Sequence, residues 1–256
     1  MHRLAALALL LLATPVTCAL VIESDAGEAS RRAPAPDPGW ANVGLRGVMT
    51  AVYLGNGWVI TALHVGAGDV VLGGVTYRAV PESAIRLGRG SGPPASDLVV
   101  FRIEPRPELP SLRIRPTPPK VGDRALLIGA GCPRGERTSW NEQAGWTWGP
   151  HTSTLRWGTN RVAMVGLDVR AGGNVTPGFA VRFDPGETRF EAQAAVGDSG
   201  GAVFIPREGR FELAGVLIAI ASNPGQPPNT ALYGNFSTAA DLSVFGDSLA
   251  ALLLPQ

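Results

Sequence analysis

The sequence predicts an all-β fold with a single helix at the carboxyl end, and three observations support this prediction. Gly and Pro account for 33 and 22 of the 256 residues, a frequency that favours turns and short strands. From residue 43 onward, short apolar runs are interrupted by Gly, Pro and Asn, with the spacing of strands in a sandwich or barrel. Helical periodicity is clear only after residue 240. The predicted strands are 48–54, 58–62, 70–72, 98–103, 125–128, 162–169, 179–183, 201–205 and 213–221.

The amino-terminal residues 1–19 have the features of a secretory signal peptide. His2 and Arg3 provide the positive charge, an apolar run covers 4–12, and Thr17-Cys18-Ala19 is a small-residue cleavage site. The run is too short to span a bilayer. An amino-terminal strand or buried helix is the alternative interpretation. The first interpretation predicts a protein that is secreted or periplasmic.

The rest of the chain divides by composition. Residues 20–40 end in an Ala/Pro/Asp-rich stretch and are expected to be a linker or propeptide. A first barrel-sized β segment covers about 41–115 and a second about 120–236, with a Pro-rich connector at 105–119. The terminal helix is expected at about 241–253, where Asp241 can cap it and Leu242, Phe245 and Leu249 share one face.

Charge and cysteine content exclude several classes of protein. The formal net charge is +1, which gives no electrostatic basis for binding nucleic acid or an acidic membrane. No later segment is long and apolar enough to anchor the chain in a membrane. Removal of Cys18 with the signal leaves Cys132 alone, so the mature chain can form no internal disulfide. Histidine and cysteine are too few and too scattered for a metal site, and we expect no cofactor.

The segment Gly-Asp-Ser-Gly-Gly around Ser199 is the most specific chemical motif. Gly197 and Gly200 permit positive φ and the close approach of a second molecule. Successive amides in such a turn can point into one concavity, where they stabilise an anion. A serine hydroxyl needs a base to remove its proton before it acts as a nucleophile. An ordinary hairpin turn is the alternative.

Two histidines remain after signal removal as candidates for that base. His64 follows the apolar run 58–62, so it lies where a strand ends, although a buried structural histidine is equally compatible with this position. His151 lies in a Trp/Gly/Pro/Thr-rich segment and is expected to be a surface or loop residue. Asp97 opens the apolar run 98–103, where a carboxylate is costly unless it is hydrogen-bonded. Asp69 and Asp123 are weaker candidates for the acid that orients the base.

These three segments resemble the motifs of chymotrypsin/trypsin-like serine proteases. Thr-Ala-Leu-His64 is similar to their histidine motif, Ser-Asp97-Leu-Val-Val-Phe to their aspartate motif, and Gly197-Asp-Ser199-Gly-Gly to their nucleophile motif. The order His, Asp, Ser is also that of the family. Lys120 is the only lysine among the basic residues, which is typical of a GC-rich bacterial genome. The chain is thus identified as resembling a bacterial, secreted, disulfide-poor member.

The resemblance implies two antiparallel β-barrels with a C-terminal helix and an active site between them. His64 would be the general base, Asp97 its orienting acid and Ser199 the acyl-forming nucleophile. The amides of Gly197 and Ser199 would form the oxyanion hole. The resemblance also implies a substrate pocket, whose expected residues are Gln193, Ile218, Ala219 and Ile220. A neutral Gln193 argues against a strong Arg/Lys preference.

The sequence departs from the family at several points. Val65 and Ala195 stand where cysteines are common, and no Ile-Val-Gly-Gly start exists, with Leu20-Val-Ile-Glu and Asn42-Val-Gly-Leu as the nearest segments. Activation by a freed amino terminus pairing with Asp198 is therefore open, and a permanently formed oxyanion loop is the alternative. The Trp-rich stretch 140–157 is expected to be a structural loop, or else a pocket wall.

The predicted function is a serine endopeptidase whose partner is a protein or peptide substrate. Two other functions stay open at this point. The chain could be a protease-fold binding protein without turnover, or a processing hydrolase dedicated to one partner.

Overall fold

The computed structural model describes residues 20–24, 27–88, 96–171 and 173–254. The predicted signal peptide, residues 1–19, lies outside the described residues. No helix in the described ranges has the length and apolarity needed to cross a membrane.

Eighteen strands, three short 3-10 helices and one α-helix make up the described structure. The strands of the amino-terminal half are β1 Val21–Ile22, β2 Val43–Arg46, β3 Met49–Gly55, β4 Trp58–Ala62, β5 Val70–Leu72, β6 Val75–Ala79, β7 Ile85–Arg86 and β8 Leu98–Glu104. The remaining strands are β9 Arg124–Gly129, β10 Arg134–Trp140, β11 Gln143–Trp148, β12 Arg156–Ala171, β13 Asn174–Arg182, β14 Ala192–Gln193, β15 Ala202–Arg207, β16 Arg210–Ala221, β17 Thr230–Leu232 and β18 Phe236–Asp241. The 3-10 helices are Gly27–Arg31, Trp40–Asn42 and Leu242–Phe245, and the α-helix α1 is Gly246–Leu253.

Two antiparallel sheets close on themselves. The first has the order β4-β3-β2-β5-β6-β8-β7, and an additional β4–β8 pairing closes the ring. The second is a six-stranded barrel with the order β12-β13-β18-β16-β15-β9. Closure removes the unpaired edges that a short-stranded open sheet would expose. Two small sheets, β10-β11-β17 and β1-β14, are added beside the second barrel.

The two barrels pack against each other through the largest buried apolar cluster. Val52 and Ile60 come from the first barrel, and Ile128, Phe204 and Val216 come from the second. Each is at most 1% exposed, and complete burial of such a side chain contributes about 1.5–3 kcal/mol. This shared core fixes the cleft between the barrels, because neither barrel can turn without opening it.

The terminal helix forms as the pattern predicts, although it begins later. Asp241 Oδ1 accepts a hydrogen bond of 3.0 Å from the Ser243 amide, and a 3-10 turn precedes the α-helical residues. Leu242, Phe245 and Leu249 are buried against the cluster that joins the barrels. Strand β18 extends the second barrel to Asp241, five residues beyond the expected end at 236, since Ser and Ala give a weak strand signal.

The amino-terminal segment differs from the expected loose linker. Leu20, Val21 and Ile22 are at most 4% exposed, and β1 pairs with β14 through Val21 and Gln193. Farther along, the Arg32 carbonyl accepts a hydrogen bond from Trp157 Nε1. The mostly polar composition of this segment predicted a linker, but a few apolar side chains and backbone groups are enough to attach it to the second barrel.

The Trp-rich stretch also differs from the expected loop. Its first half forms the end of β10 and all of β11, which pairs with β17 through Trp146 and Ala231. Trp146 is 4% exposed and its ring meets Phe183 and Tyr233 at centroid distances of 6.0 and 5.6 Å. Trp146 therefore forms the centre of a small apolar cluster beside the barrel, with Trp148 packed against it.

Candidate active site

His64 and Asp97 are brought together by the pairing of β4 with β8. The register places Ala62 opposite Leu98, so the residues just outside the two strands meet at one end of the barrel. The Leu63 amide donates to the Asp97 carbonyl at 3.0 Å, and the His64 amide donates to Asp97 Oδ1 at 3.0 Å. His64 Nδ1 lies 2.7 Å from Asp97 Oδ2. These contacts hold the imidazole in one orientation.

The carboxylate of this pair is buried, whereas the imidazole reaches the solvent. Asp97 is 1% exposed, and the side chain of His64 is 37% exposed. The hydrogen bond that Asp97 accepts from the ring and the charge of its carboxylate raise the pKa of His64, and partial burial of the ring opposes them. The Asp97 amide donates to Thr176 Oγ1 at 2.8 Å, so the second barrel also supports this aspartate.

Thr50 of β3 ties the Ser199 turn to the first barrel. Its amide donates to the Ser199 carbonyl at 3.0 Å, and its hydroxyl donates to the Gly197 carbonyl at 2.9 Å. The Thr50 carbonyl in turn accepts from Thr61 Oγ1 at 2.8 Å. Thr61 precedes His64 by three residues in the chain. The serine turn is thus fixed against the strand that leads into the histidine.

Gly200 shows how closely the two barrels approach at this point. A methyl group on its Cα would lie 1.9 Å from the Thr50 carbonyl oxygen and 2.2 Å from Thr61 Oγ1. Its φ of +84° is also unfavourable for other residues.

Among the described residues, no hydrogen bond joins Ser199 to His64. Ser199 is half-buried at the mouth of the cleft, in line with a group that an incoming substrate must reach.

The orientation of two peptide groups leaves the backbone N–H groups of Gly197 and Ser199 without a hydrogen-bond partner in the described parts of the chain. The Val196 carbonyl accepts from the Cys132 amide at 2.8 Å, and the Asp198 carbonyl accepts from the Gly201 amide at 2.8 Å. In a trans peptide the N–H points opposite to the C=O. The amides that follow these two carbonyls therefore point away from their bonded partners, and neither donates a hydrogen bond within the described parts of the chain. Two such free amides suit a developing oxyanion.

The side chain of Asp198 fixes the Ser199 turn to neighbouring backbone amides. It is completely buried, and its carboxylate accepts hydrogen bonds of 2.7 Å from the amides of Gly131 and Ala195. The Leu20 amide is a third donor. Burial raises the pKa of Asp198 to about 7, and the three amide donors partly offset this rise. Leu20 is the residue that would follow the predicted cleavage site.

His151 occupies a position that the sequence does not predict. It lies in a loop as expected, but a methyl group on Gly197 would be 2.5 Å from His151 Nε2 and 2.6 Å from Gly131 Cα. Nε2 is buried and has no hydrogen-bond partner in the described ranges. The imidazole therefore packs directly against the turn that carries Ser199. The only signal of this contact in the sequence is the glycine at position 197 of the motif, because a residue without a side chain permits such a close approach.

The expected substrate-pocket residues are placed in two different environments. Ile218, Ala219 and Ile220 line a cavity of about 130 Å³ that also touches Ser199. Gln193 is not among the lining residues, because it is completely buried where β14 pairs with β1. The rest of the lining is Ala194, Ala195, Val196 and Leu217.

Comparison with known proteins identifies the fold. A family model described as "Trypsin-like peptidase domain" matches residues 49–216. Neuropsin, a serine protease of mouse brain, is 17% identical with a TM-score of 0.56, covering 88% of this chain and 98% of its own. The Rv3671c protease of M. tuberculosis, in an inactive form, is 17% identical with a TM-score of 0.51, covering 84% and 89%. No curated protein sequence matches the chain.

These likenesses confirm the predicted all-β fold of two barrels with a C-terminal helix. The family match covers more than half of the chain and supports a hydrolase of the protease type. The chain therefore belongs to the trypsin-like peptidase family and has the chymotrypsin-type fold.

Proposed function

We propose that this protein is an exported serine endopeptidase that works through an acyl-enzyme. The observation that carries the proposal is the buried Asp97 bonded to the solvent-reaching His64, beside a serine turn fixed to the same barrel by Thr50. A purely structural histidine has no need of an orienting carboxylate or of two free amides nearby.

In the proposed reaction, Ser199 Oγ attacks the carbonyl carbon of the peptide bond and His64 Nε2 takes the hydroxyl proton. The negative charge moves to the carbonyl oxygen, which the amides of Gly197 and Ser199 stabilise; one such donor contributes about 3 kcal/mol. His64 then gives its proton to the leaving amine as the C–N bond breaks. Water attacks the resulting ester by the same route and restores Ser199.

Turnover of an unspecific protein substrate tests this proposal. We expect wild-type protein to cleave casein internally, and the Ser199→Ala variant to lose this activity while keeping its melting temperature. Well-folded wild-type protein without turnover on casein or on a broad peptide library would instead favour the binding-protein function. Cleavage of one partner protein alone would favour a dedicated processing hydrolase.

The cavity beside Ser199 indicates which side chain precedes the cut. None of its described lining residues is charged, and its volume of about 130 Å³ holds roughly four carbon-sized groups at about 30 Å³ each. We expect peptides with Val or Leu before the cut to exceed those with Arg, Lys or Phe by at least ~10-fold in kcat/KM.

A peptide series with one varied residue measures this preference. Ile220→Gly should enlarge the cavity and raise kcat/KM for the Phe peptide more than for the Val peptide. Equal rates for Arg and Val peptides in the wild-type protein would contradict the assignment of this cavity.

We further propose that removal of the signal peptide after Ala19 completes the site. The Leu20 nitrogen donates to the buried Asp198, and a freed α-amino group at this position would be a cation beside a carboxylate. Breaking a buried ion pair of this kind costs about 3–5 kcal/mol. The mature chain should therefore hold the serine turn more firmly than a chain extended before Leu20.

Stability as a function of pH distinguishes the two forms. Without the cation, the pKa of Asp198 is raised from 3.8 to about 7, so the stability due to its neutral form declines as the pH rises above 3.8 and is lost by about pH 7. With the cation, stability should persist to about pH 8 and fall only when the α-amino group loses its proton. The difference is measured by thermal unfolding of two chains, one that begins at Leu20 and one that carries an added Ser-Gly before Leu20. Identical pH profiles, or a difference that survives Asp198→Asn, would contradict it.

A further inference from the structure

A pocket on the second barrel, away from the candidate active site, has the dimensions of a small-molecule site. Its volume is about 530 Å³, within the range of about 300–1,000 Å³ found for ligand pockets. It lies at the Arg124 end of β9, whereas the Gly129 end of β9 leads to Ala130, whose amide bonds to Thr50. The strand between these ends is about 17 Å long, so the pocket is separate from the cleft.

The interior of this pocket is apolar. Leu126, Phe190 and Phe211 contribute large apolar surfaces, and Pro36 and Pro206 contribute smaller ones. Trp157 supports the Phe190 ring from the side in an edge-on contact, with 4.8 Å between the ring centroids. A rigid aromatic and aliphatic lining of this kind favours a hydrocarbon group over a polar one.

The polar residues of the lining are dominated by arginine. Arg124, Arg161, Arg189 and Arg210 line the pocket together with a single carboxylate, Glu187. Glu187 Oε1 lies 2.7 Å from Arg161 Nε. Three positive charges therefore remain in excess at one pocket, although the whole chain has a formal net charge of only +1.

Two of these arginines face each other across a strand pair. The register of β9 with β12 places Arg124 directly opposite Arg161, and like charges in this arrangement destabilise a sheet. The side chains of Arg124 and Arg210 are exposed, and neither guanidinium group makes a hydrogen bond or ion pair within the described ranges. An anion among these guanidinium groups would remove the repulsion and gain charge-assisted hydrogen bonds.

We propose that this pocket binds a fatty-acid-like molecule, with its aliphatic chain inside and its carboxylate among Arg124, Arg161 and Arg210. The volume leaves room for a chain of roughly ten to fifteen carbon-sized groups at about 30 Å³ each. The site goes beyond the proposed peptidase activity, because it uses none of the residues assigned to the reaction.

Titration with decanoate below its micelle concentration tests the proposal. We expect saturable binding, seen as a rise in melting temperature and a change in tryptophan fluorescence. Trp157→Phe should remove most of the fluorescence change and keep the thermal shift. Decanol and decyltrimethylammonium should bind at least 10-fold more weakly than decanoate, because neither offers an anion.

Charge reversal at the pocket supplies the decisive comparison. The double variant Arg124→Glu/Arg210→Glu should lose at least 10-fold in affinity, whereas Arg170→Glu, an exposed arginine elsewhere on β12, should not. If the double variant does not fold, Arg124→Gln/Arg210→Gln replaces it. Absence of saturable binding, equal binding of decanol, or undiminished affinity in the double variant would overturn the proposal. Ser199→Ala should bind decanoate as the wild type does, so this result is independent of the peptidase activity.

Discussion

Replacement of Asp97 by asparagine is expected to lower kcat/KM at neutral pH by about 10⁴-fold, while the fold survives. The carboxylate fixes the tautomer of His64 through the contact of 2.7 Å to Nδ1, and it stabilises the imidazolium that forms when Ser199 loses its proton. An asparagine can donate a hydrogen bond to Nδ1 and so favour the tautomer that leaves Nε2 unable to accept a proton.

The same variant should shift the pH profile. Because Asp97 raises the pKa of His64, wild-type activity should fall as the pH drops through that raised pKa, and the variant's residual activity should fall only at lower pH. Asp69→Asn is the matched control, since Asp69 Oδ1 only accepts from the Ala79 amide on the same barrel. A large loss in Asp69→Asn together with normal activity in Asp97→Asn would refute the assigned role.

Introduction of a single methyl group in Gly197→Ala should reduce kcat by about 10²–10³-fold, the loss typical of one oxyanion donor. The new Cβ would lie 2.5 Å from His151 Nε2 and 2.6 Å from Gly131 Cα, so the turn has to move. The φ of +100° adds strain for any residue with a side chain. KM should change much less, because substrate contacts elsewhere are retained.

Gly209→Ala is the control for this experiment. Gly209 has a φ of +76°, and a methyl group there meets nothing within 4 Å, so the substitution adds backbone strain without a collision. We expect this variant to lose some stability and no activity. Steady-state kinetics on one peptide compares the two, and equal kcat values would argue against an oxyanion role for the Gly197 amide.

The main elements of the fold could be predicted because their signals are local. The strands Trp58–Ala62 and Val70–Leu72 of the first barrel match the predicted runs residue for residue, since nearly all of their side chains are apolar and buried. His64 and Asp97 were predictable as candidates because each follows or precedes such a run. Their contact depends on the β4–β8 register, which no local pattern contains.

The remaining features depend on long-range contacts that composition does not record. Leu20 is buried in an apolar cluster of the second barrel, and its amide donates a hydrogen bond to Asp198, far along the chain. His151 adjoins Gly197 only because a loop of the second barrel folds back on the serine turn. Gln193 is displaced from the expected pocket by β1, a strand of two residues within a stretch that has the composition of a linker.

Mass spectrometry of the protein after reaction with an aryl phosphonate tests the central claim most directly. The probe reacts only with a hydroxyl that has an effective base and an oxyanion hole beside it. We expect one adduct per chain, on the peptide that contains Ser199, and none in Ser199→Ala or after acid unfolding. An adduct on any other residue, or equal labelling of the Ser199→Ala variant, would contradict the assignment of Ser199 as the nucleophile.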